Sequence, residues 1–388
     1  MRLPRRAFRK MRTHKKHSAI EGARRVLTMG VEEEFLLLAD DGSVAPVASR
    51  VVRLAGLAER IKPEYMTYQV ETTTTVCTRL DELRRDLVRL RLIAADAAEQ
   101  AGARLVAVGA APLAGGPLGA ASDEERHREL ARRYPGATSA GGACACHVHI
   151  GMPDRELAVA VLARLRPWLP ALLALTVNSP FAGALDTGWA SFRYQTQLHW
   201  PTFRPPGAWA SAERYDRVVR SLIVSGAALD TAGVYFLARL SARYPTIEIR
   251  VGDTCLDVQD TVFYAGVVRA LVASLVDDVR RRLKAIPTPA ALIDAQLLTA
   301  AHGQVRIRHS GPADPAAAAA GAVARLLAKI TPYLPATDAV DEVHAGLNRL
   351  RRNGTGAERQ RRMWTGSSSP KGFVRSLTEA TIPLAAHL

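Results

Sequence analysis

Two glutamates near residue 30 have the type and spacing to bind a divalent cation. Glu32 and Glu34 flank Glu33 within residues 30–38, a stretch of strand length that ends in apolar residues. Alternate side chains of a strand face opposite ways, so Glu32 and Glu34 would share one face and Glu33 would lie on the other. Neighbouring carboxylates repel each other when partly buried. Either this strand is a solvated edge, or a hard cation such as Mg²⁺ neutralises the pair.

Three further stretches repeat this alternation. Glu71 leads into a β-branched run, His147 and His149 alternate with aliphatic residues, and so do Glu248 and Arg250. Each pattern places charged or ligating groups on one face of a strand and apolar groups on the other. We therefore predict one sheet with a chemical face and a core face. We expect the glutamates to converge on the chemical face. A plain salt bridge between Glu248 and Arg250 is the alternative for the last stretch.

The run from residue 144 to 149 also contains two cysteines, which raises the question of zinc. In a strand, Cys144 and Cys146 share the face opposite to His147 and His149. One extended segment cannot place four ligands tetrahedrally around an ion. The histidine pair is therefore predicted to face the site, with the thiols buried behind it.

Other sequence signals limit the chemistry. The chain has no P-loop, no G-x-G-x-x-G and no G-x-S-x-G motif, so a bound nucleotide would be held in some other way. No serine–histidine–aspartate arrangement stands out. Arg193, Arg239 and Arg243 are candidate contacts for phosphate or carboxylate groups, since guanidinium binds both in a bidentate manner.

The positive charge of the chain lies mostly at its amino end. The 388 residues carry a formal net charge of +15, and residues 1–25 supply +9 of it. Such a leader could contact nucleic acid, but it has no apolar periodicity, and a disordered, dispensable leader is the simpler interpretation. The leader also lacks the apolar core of a signal peptide.

Composition elsewhere fits a cytoplasmic protein. Four cysteines in a chain of this length do not make a disulfide framework. No uncharged run reaches the ~18 residues of a membrane span. We expect no membrane partner, and no nucleic-acid partner outside the leader.

The strands come singly or in pairs between long helices and alternate in polarity. This pattern favours an α+β fold with a largely antiparallel sheet, in one domain over residues 26–382 whose last third is helical. An amphipathic helix is expected around Leu80–Leu90, with Arg91 among the arginines on its wet sides. A strand is expected at 66–77, a helix capped by Ser122, a long ordered loop at 181–210, and a basic, mobile stretch at 359–372.

Five stretches, in this order, carry a resemblance to a known family: GVEEEFLL at 30–37, CHVHIG at 146–151, NSPF at 178–181 with TG at 187–188, YPTIEIRV at 244–251 and GAERQR at 356–361. As a set they resemble the carboxylate–amine ligases, also called glutamate–cysteine ligase type 2. The resemblance implies the fold of the glutamine synthetase superfamily, an antiparallel sheet whose concave face holds ATP and two or three Mg²⁺ ions, with helices flanking it.

The resemblance implies metal-facing roles for the glutamates and histidines and a phosphate-facing role for Arg250, while the other candidates rest on the residues themselves. The metal-facing candidates are Glu32, Glu34, Glu71, His147 and Glu248. The candidates for nucleotide contact are Thr246, Arg239, Arg243 and His149. The catalytic candidates are Glu248, Arg250 and Arg193, with Arg250 facing phosphate.

The implied reaction joins a carboxylate to an amine. ATP phosphorylates the carboxylate, and the amine displaces phosphate from the acyl phosphate. The substrates would be small molecules, amino acids above all, and a dimer is compatible with this family. A metal-dependent hydrolase or phosphotransferase on the same carboxylates remains an alternative, as does a catalytically weakened homologue or a protein that associates with nucleic acid through residues 1–25.

One departure concerns the substrate. Where the family usually has a Trp-Arg-Ala-Ala-Arg-like run, residues 298–302 read Leu-Thr-Ala-Ala-His. We expect His302 to weaken an anion contact there, so that His302→Arg would favour an acidic amino acid such as glutamate. Alternatively, His302 lies on an outer helix face and Arg306 or Arg308 supplies the charge.

Overall fold

A seven-stranded sheet forms the centre of the molecule. The structure, a computed structural model, describes residues 27–57, 59–114, 119–304 and 316–382. The strands are β1 Met29–Leu38, β2 Ile61–Pro63, β3 Gln69–Thr73, β4 Arg104–Val106, β5 Cys146–Gly151, β8 Ala238–Leu240 and β9 Thr246–Ile249, while β6 Phe181–Ala182 and β7 Leu185–Asp186 form a separate hairpin. The order in the sheet is β2-β3-β1-β5-β9-β8, with β4 beside the second half of β1.

Every strand pairing in the described part of the chain is antiparallel, which confirms the predicted fold class. The helices are α1 Ala48–Ala55, α2 Leu80–Gln100, α3 Glu125–Arg133, α4 Pro135–Ser139, α5 Arg155–Leu165, α6 Leu169–Thr176, α7 Phe192–Gln197, α8 Ala212–Val224, α9 Val258–Arg280, α10 Ala290–Ala301, α11 Ala316–Ile330, α12 Val340–Asn353, α13 Gly356–Gly366 and α14 Pro370–Thr381.

One face of the sheet is covered by helices. α9 is buried along most of its length and packs on β1 and β5, while α2 packs on β1 and β4. The segment Arg155–Thr176, which contains α5 and α6, is long and apolar enough to cross a membrane, with a mean hydropathy of 1.5. It packs against α9, and 61% of it is buried inside the molecule, so its apolar character matches a core position.

Arg91 is buried, and its predicted place on a wet side of α2 is wrong. Its guanidinium is fully enclosed and forms a bidentate pair with Glu33, at 3.0 Å and 2.6 Å. Glu33 therefore points away from Glu32 and Glu34, as predicted from the alternation. Arg91 lies beside the apolar stripe of α2, and a partner from another element draws it inward, which the helix pattern alone does not reveal.

The carboxyl-terminal stretch is helical, so the predicted mobile segment at 359–372 is wrong. Thr355 and Glu358 form a capping box that starts α13. Phe373 and Leu377 of α14 are buried in a cluster with Leu36 of β1. Arg362 and Lys371 are exposed, while Arg359 and Arg361 pair with Asp260 and Asp186, and the number of basic residues concealed the capping and packing signals.

Three other boundaries differ from expectation. The strand predicted at 66–77 is limited to β3. Ser122 does not cap α3, because Glu124 holds that position and the Ser122 hydroxyl bonds His127 Nδ1. The predicted loop at 181–210 contains the β6–β7 hairpin and α7, whose start is capped by Ser191. The leader at 1–25, Arg306 and Arg308 lie outside the described residues.

Candidate active site

The sheet register brings the predicted polar residues together. Residues directly opposite each other on antiparallel strands share a face. The cross-strand pairs are Glu34 with Glu71, Glu32 with His147, and His149 with Glu248. The predicted convergence of the four glutamates on one face is therefore confirmed, and the alternative of a solvated edge strand is wrong because β1 is central.

Three groups of side chains could each hold a cation. In each group, one ligand atom per residue lies within 4.8 Å of the others: Glu32, His149 and Glu248; Glu32, Glu71 and His147; Glu34, Glu64 and Glu71. Glu32 and Glu71 each belong to two groups. The three positions thus form a continuous row across the sheet, and binding of metal there stays a prediction.

Sequence reasoning missed Glu64. It follows β2, a three-residue strand that contains Pro63 and was not predicted. Lys62 lies opposite Glu71 in the register, so Glu64, two residues later, falls on the same face. Proline discourages a strand assignment, and the Lys-Pro-Glu alternation is too short to reveal the site without its partner strand.

The carboxylates at one end of this face lack matching positive charge. Burial raises the pKa of Glu34 to about 8, with repulsion from Glu64 adding to it. Burial followed by repulsion from Glu32 and the other carboxylates raises the pKa of Glu71 well above its usual range. The pKa of Glu64 is raised by burial too. Hard divalent cations bind oxygen ligands and would remove this repulsion, so the donor set fits Mg²⁺.

The two histidines are also suited to bind a cation. His149 Nδ1 and the Thr246 hydroxyl are 2.9 Å apart, while the buried Nε2 has no hydrogen-bond partner among the described residues and lies 3.5 Å from a Glu32 oxygen. A histidine whose second nitrogen is held in this way is typical of metal ligands. Burial and the Arg250 charge lower the pKa of His147 to about 4, which keeps that ring neutral.

Glu248 is held by two arginines. Arg239 makes a bidentate pair with it at 2.8 Å and 3.2 Å, and Arg250 bonds the same carboxylate. Although burial opposes ionisation, the charges of Arg250 and Arg239 hold the pKa of Glu248 well below its usual range. Arg239 also donates to the carbonyls of Ala232 and Val234. Arg239 therefore positions Glu248, in contrast to its predicted role as a nucleotide contact.

Arg193 is a buried cation with an unsatisfied donor. Its guanidinium lies 3.6 Å from Asp253 and donates to the carbonyls of Val251 and Arg250, while Nε has no partner in the described part of the chain. Asp253 in turn accepts hydrogen bonds from the hydroxyls of Ser179 and Ser191 at 2.7 Å each. Sequence reasoning did not identify Asp253, because an isolated acid after β9 carries no pattern.

Residues of two family motifs, at 178–181 and 356–361, hold Asp253 in place through hydrogen bonds. Gln360 donates to both the backbone and side-chain oxygens of Asn178, each at 2.7 Å. The Asn178 amide donates to the carbonyls of Ala107 and Thr254, and its backbone N–H donates to Asp253. These motif residues are a scaffold for Asp253, and through it they fix Arg193.

A small chamber of about 70 Å³ opens beside the carboxylates. Its charged and titratable lining consists of Glu34, Glu64, His147, Arg193 and Arg250. Four aromatic side chains also line it: Tyr65, Trp200, Phe203 and Tyr235. Trp200 packs edge to face against Tyr65 and Tyr235, so the chamber offers an aromatic surface to a small organic group next to the cation positions.

Two candidate residues lie elsewhere. Arg243 is exposed in the turn between β8 and β9, next to Tyr244, whose ring centre is 6.1 Å from that of His149. His302 ends α10, is exposed, and stacks on Trp189 with ring centres 3.6 Å apart. His302 is absent from the chamber lining, so the geometry does not support the expected contact with the acid substrate.

Comparison with known proteins gives a family match over nearly all of the described chain. Residues 28–380 match the model of glutamate-cysteine ligase family 2. A putative glutamate–cysteine ligase 2 of Salinispora arenicola is 46% identical over 87% of this chain and 90% of its own length. A putative glutamate–cysteine ligase 2-2 of a Mycobacterium species, strain KMS, is 38% identical over 92% and 98% respectively.

Solved structures share the fold at low sequence identity. Glutamate–cysteine ligase of Francisella tularensis, solved in complex with AMP, matches with a TM-score of 0.66 and 13% identity over 93% of this chain and 90% of that one. A bifunctional glutathione synthetase of Pasteurella multocida matches with a TM-score of 0.69 and 14% identity over 95% of this chain. The present chain spans only 54% of that longer protein.

Proposed function

Because the chain belongs to glutamate-cysteine ligase family 2, we propose that its acidic sheet face uses ATP and Mg²⁺ to join the carboxylate of one amino acid to the amine of another. As a family member the chain is an ATP-dependent carboxylate–amine ligase. The observation that carries the assignment to this face is the row of three cation positions beside a chamber containing Arg193 and Arg250.

The chemistry starts from a poor electrophile. A carboxylate oxygen attacks the γ-phosphorus of ATP, ADP leaves, and an acyl phosphate remains. The amine then attacks the acyl carbon, phosphate leaves, and a proton is lost from nitrogen. No protein nucleophile is required, and positioning with charge stabilisation supplies most of the catalysis.

Mg²⁺ would be held by the three groups built from Glu32, Glu34, Glu64, Glu71, His147, His149 and Glu248. When bound, it supplies Lewis-acid stabilisation of the phosphoryl oxygens. Arg250, which points from β9 into the chamber, would bind the transferring phosphoryl group. Thr246 orients His149, and Arg239 orients Glu248.

In this proposal the two ends of the row of cation positions lie next to different substrates. The free Nε–H of buried Arg193 would bind the carboxylate-bearing substrate in the chamber near Glu34. Exposed Arg243, beside the His149 end, would meet the nucleotide. Glutamate and cysteine, named for the relatives, are the first substrates to test.

Four free thiols, all buried, suit a reducing compartment and support a cytoplasmic location.

The decisive experiment measures ADP release with Mg²⁺ and ATP for amino acids singly and in pairs, with mass spectrometry of the products. A ligase requires both partners and yields a mass equal to their sum less one water. ADP release without an amine would instead indicate a hydrolase or phosphotransferase.

Glu248→Gln is the matched variant for this assay. The amide keeps the shape of the side chain but removes the charge, so kcat should fall by about a hundredfold or more while the protein still folds. Circular dichroism provides the folding control. Wild-type ADP formation in this variant would reduce Glu248 to a salt-bridge partner.

A further inference from the structure

A second cavity, of about 480 Å³, lies outside the acidic face. It is bounded by the ends of α10 and α12 and the start of α13, and it shares no lining residue with the chamber beside the carboxylates. Its volume falls within the ~300–1,000 Å³ typical of small-molecule pockets. The cavity therefore has room for an organic ligand, and its lining indicates which kind.

The rim of this cavity is strongly basic. Its four arginines are Arg351, Arg352, Arg361 and Arg362, against a single acid, Glu358. The Glu358 carboxylate is already bound to the backbone N–H and hydroxyl of Thr355. The guanidinium groups of Arg351 and Arg352 are exposed and bond no residue in the described part of the chain. The rim thus presents uncompensated positive charge.

The floor is apolar and partly aromatic. It is formed by Ala174, Val177, Ala190, Ala300 and Leu350. His302 forms part of the wall, and its ring is stacked on Trp189 within 25° of parallel. Orthophosphate would leave this floor wet, whereas an organic anion would cover it. We propose that the cavity binds a small organic molecule with two or more negative charges, carried as phosphate or carboxylate groups.

This cavity is connected to Arg193 by a short series of bonds. Arg361 holds Asp186 in a bidentate pair and donates to the carbonyl of Trp189. Two residues further along, Ser191 bonds Asp253, the partner of Arg193. A ligand that draws Arg361 away from Asp186 would loosen the segment that positions Arg193. Occupancy should therefore raise KM for the acid substrate.

The binding test uses calorimetry in EDTA, so that it needs neither turnover nor Mg²⁺, and the arginine variants below separate binding in this cavity from binding at the proposed nucleotide site. The probes are citrate, AMP and orthophosphate. Citrate or AMP should bind with a Kd of about 1 mM or tighter, and orthophosphate should bind more weakly. Comparing the Kd of citrate with the Kd of AMP shows whether the cavity prefers carboxylate or phosphate groups.

The variant R351Q/R352Q should weaken binding of that probe by about tenfold or more. The matched control R214Q/R220Q removes the same charge from exposed positions of α8 and should change Kd by less than about twofold. The proposal is overturned if neither organic probe binds, if orthophosphate binds as tightly, or if the two double variants weaken binding equally or not at all. Circular dichroism checks that both variants fold.

Discussion

Adjacent glutamates of β1 point to opposite faces of the sheet, where their charges have different partners. On the helix-covered face, Glu33 is fully buried and is matched by Arg91, whose guanidinium also donates to the carbonyls of Cys255, Leu256 and Thr381. The Thr261 hydroxyl donates to the same glutamate at 2.6 Å. This carboxylate has its counter-ion and its hydrogen bonds within the protein.

On the other face, Glu32 and Glu34 are buried or nearly so and meet carboxylates and histidines. Glu34 accepts one backbone hydrogen bond, from Ala145, and its pKa is raised by burial and by Glu64. Glu33 and Glu34 are therefore buried to a similar degree, while the positive charge around them differs. The difference separates a structural ion pair from the carboxylates that we propose bind a cation.

The largest effect is expected from Arg91→Ala. It leaves Glu33 as an uncompensated buried charge, which should lower the free energy of unfolding by about 3–5 kcal/mol. Urea denaturation followed by circular dichroism measures it.

The control for that variant is E33Q/R91M, which removes both charges and should recover much of the loss. If Arg91→Ala alone unfolds like wild type, Glu33 is stabilised in some other way and the contrast between the faces fails.

Glu34→Gln should contrast with Arg91→Ala, with no loss of stability but a large loss of activity. Burial and the neighbouring Glu64 disfavour the ionised form of Glu34, so an uncharged amide should leave stability unchanged or raised without Mg²⁺, while kcat falls by about a hundredfold or more because a cation ligand is lost. Steady-state ADP release and urea denaturation in EDTA measure the two quantities. A stability loss as large as that of Arg91→Ala would show that Glu34 is structural.

A smaller effect is expected from the metal itself. At a hundred times its Kd, Mg²⁺ should raise the melting temperature by about 3–5 °C, since it binds only the folded state. The variant E32Q/E34Q should lose this response, and a control change at Glu213, an exposed acid on α8, should keep it. An equal shift in all three proteins would indicate a nonspecific salt effect.

The smallest effect concerns His302→Arg. Because His302 lies outside the chamber, the KM values for ATP and for each amino acid should change by less than about twofold when no other anion is added. A larger decrease for glutamate would mean that the acidic face extends to the end of α10, and would restore the substrate contact suggested by the family pattern.

The alternation of single strands was enough to predict the chemical face. Period-two patterns placed Glu32, Glu34, Glu71 and Glu248 together, because a strand fixes which way each side chain points. The same rule assigned Glu33 to the other side. These predictions needed no knowledge of register, only the assumption that one sheet contains all four strands.

Residues whose role depends on a partner far along the chain were not predictable in this way. Arg91 becomes buried because Glu33 and three distant carbonyls surround it. Glu64 lies at the site because it follows a strand too short to recognise from sequence. Arg239 donates its hydrogen bonds to Glu248 and to two carbonyls. In each case the local pattern was insufficient, and for Arg91 it was misleading, since tertiary contacts decide where a charge is satisfied.

The bond from Arg91 to Thr381 has a consequence for synthesis. The two residues are separated by 290 positions, and Thr381 also accepts, through its hydroxyl, the N–H of Ala107. At translation rates of about 5–20 residues per second, Arg91 is made about 15–60 s before Thr381. During that interval Glu33 of β1 and Arg91 of α2 have been synthesised, but α14, which supplies the Thr381 carbonyl, has not. The interior around β1 can therefore close only after α14, Pro370–Thr381, has been synthesised.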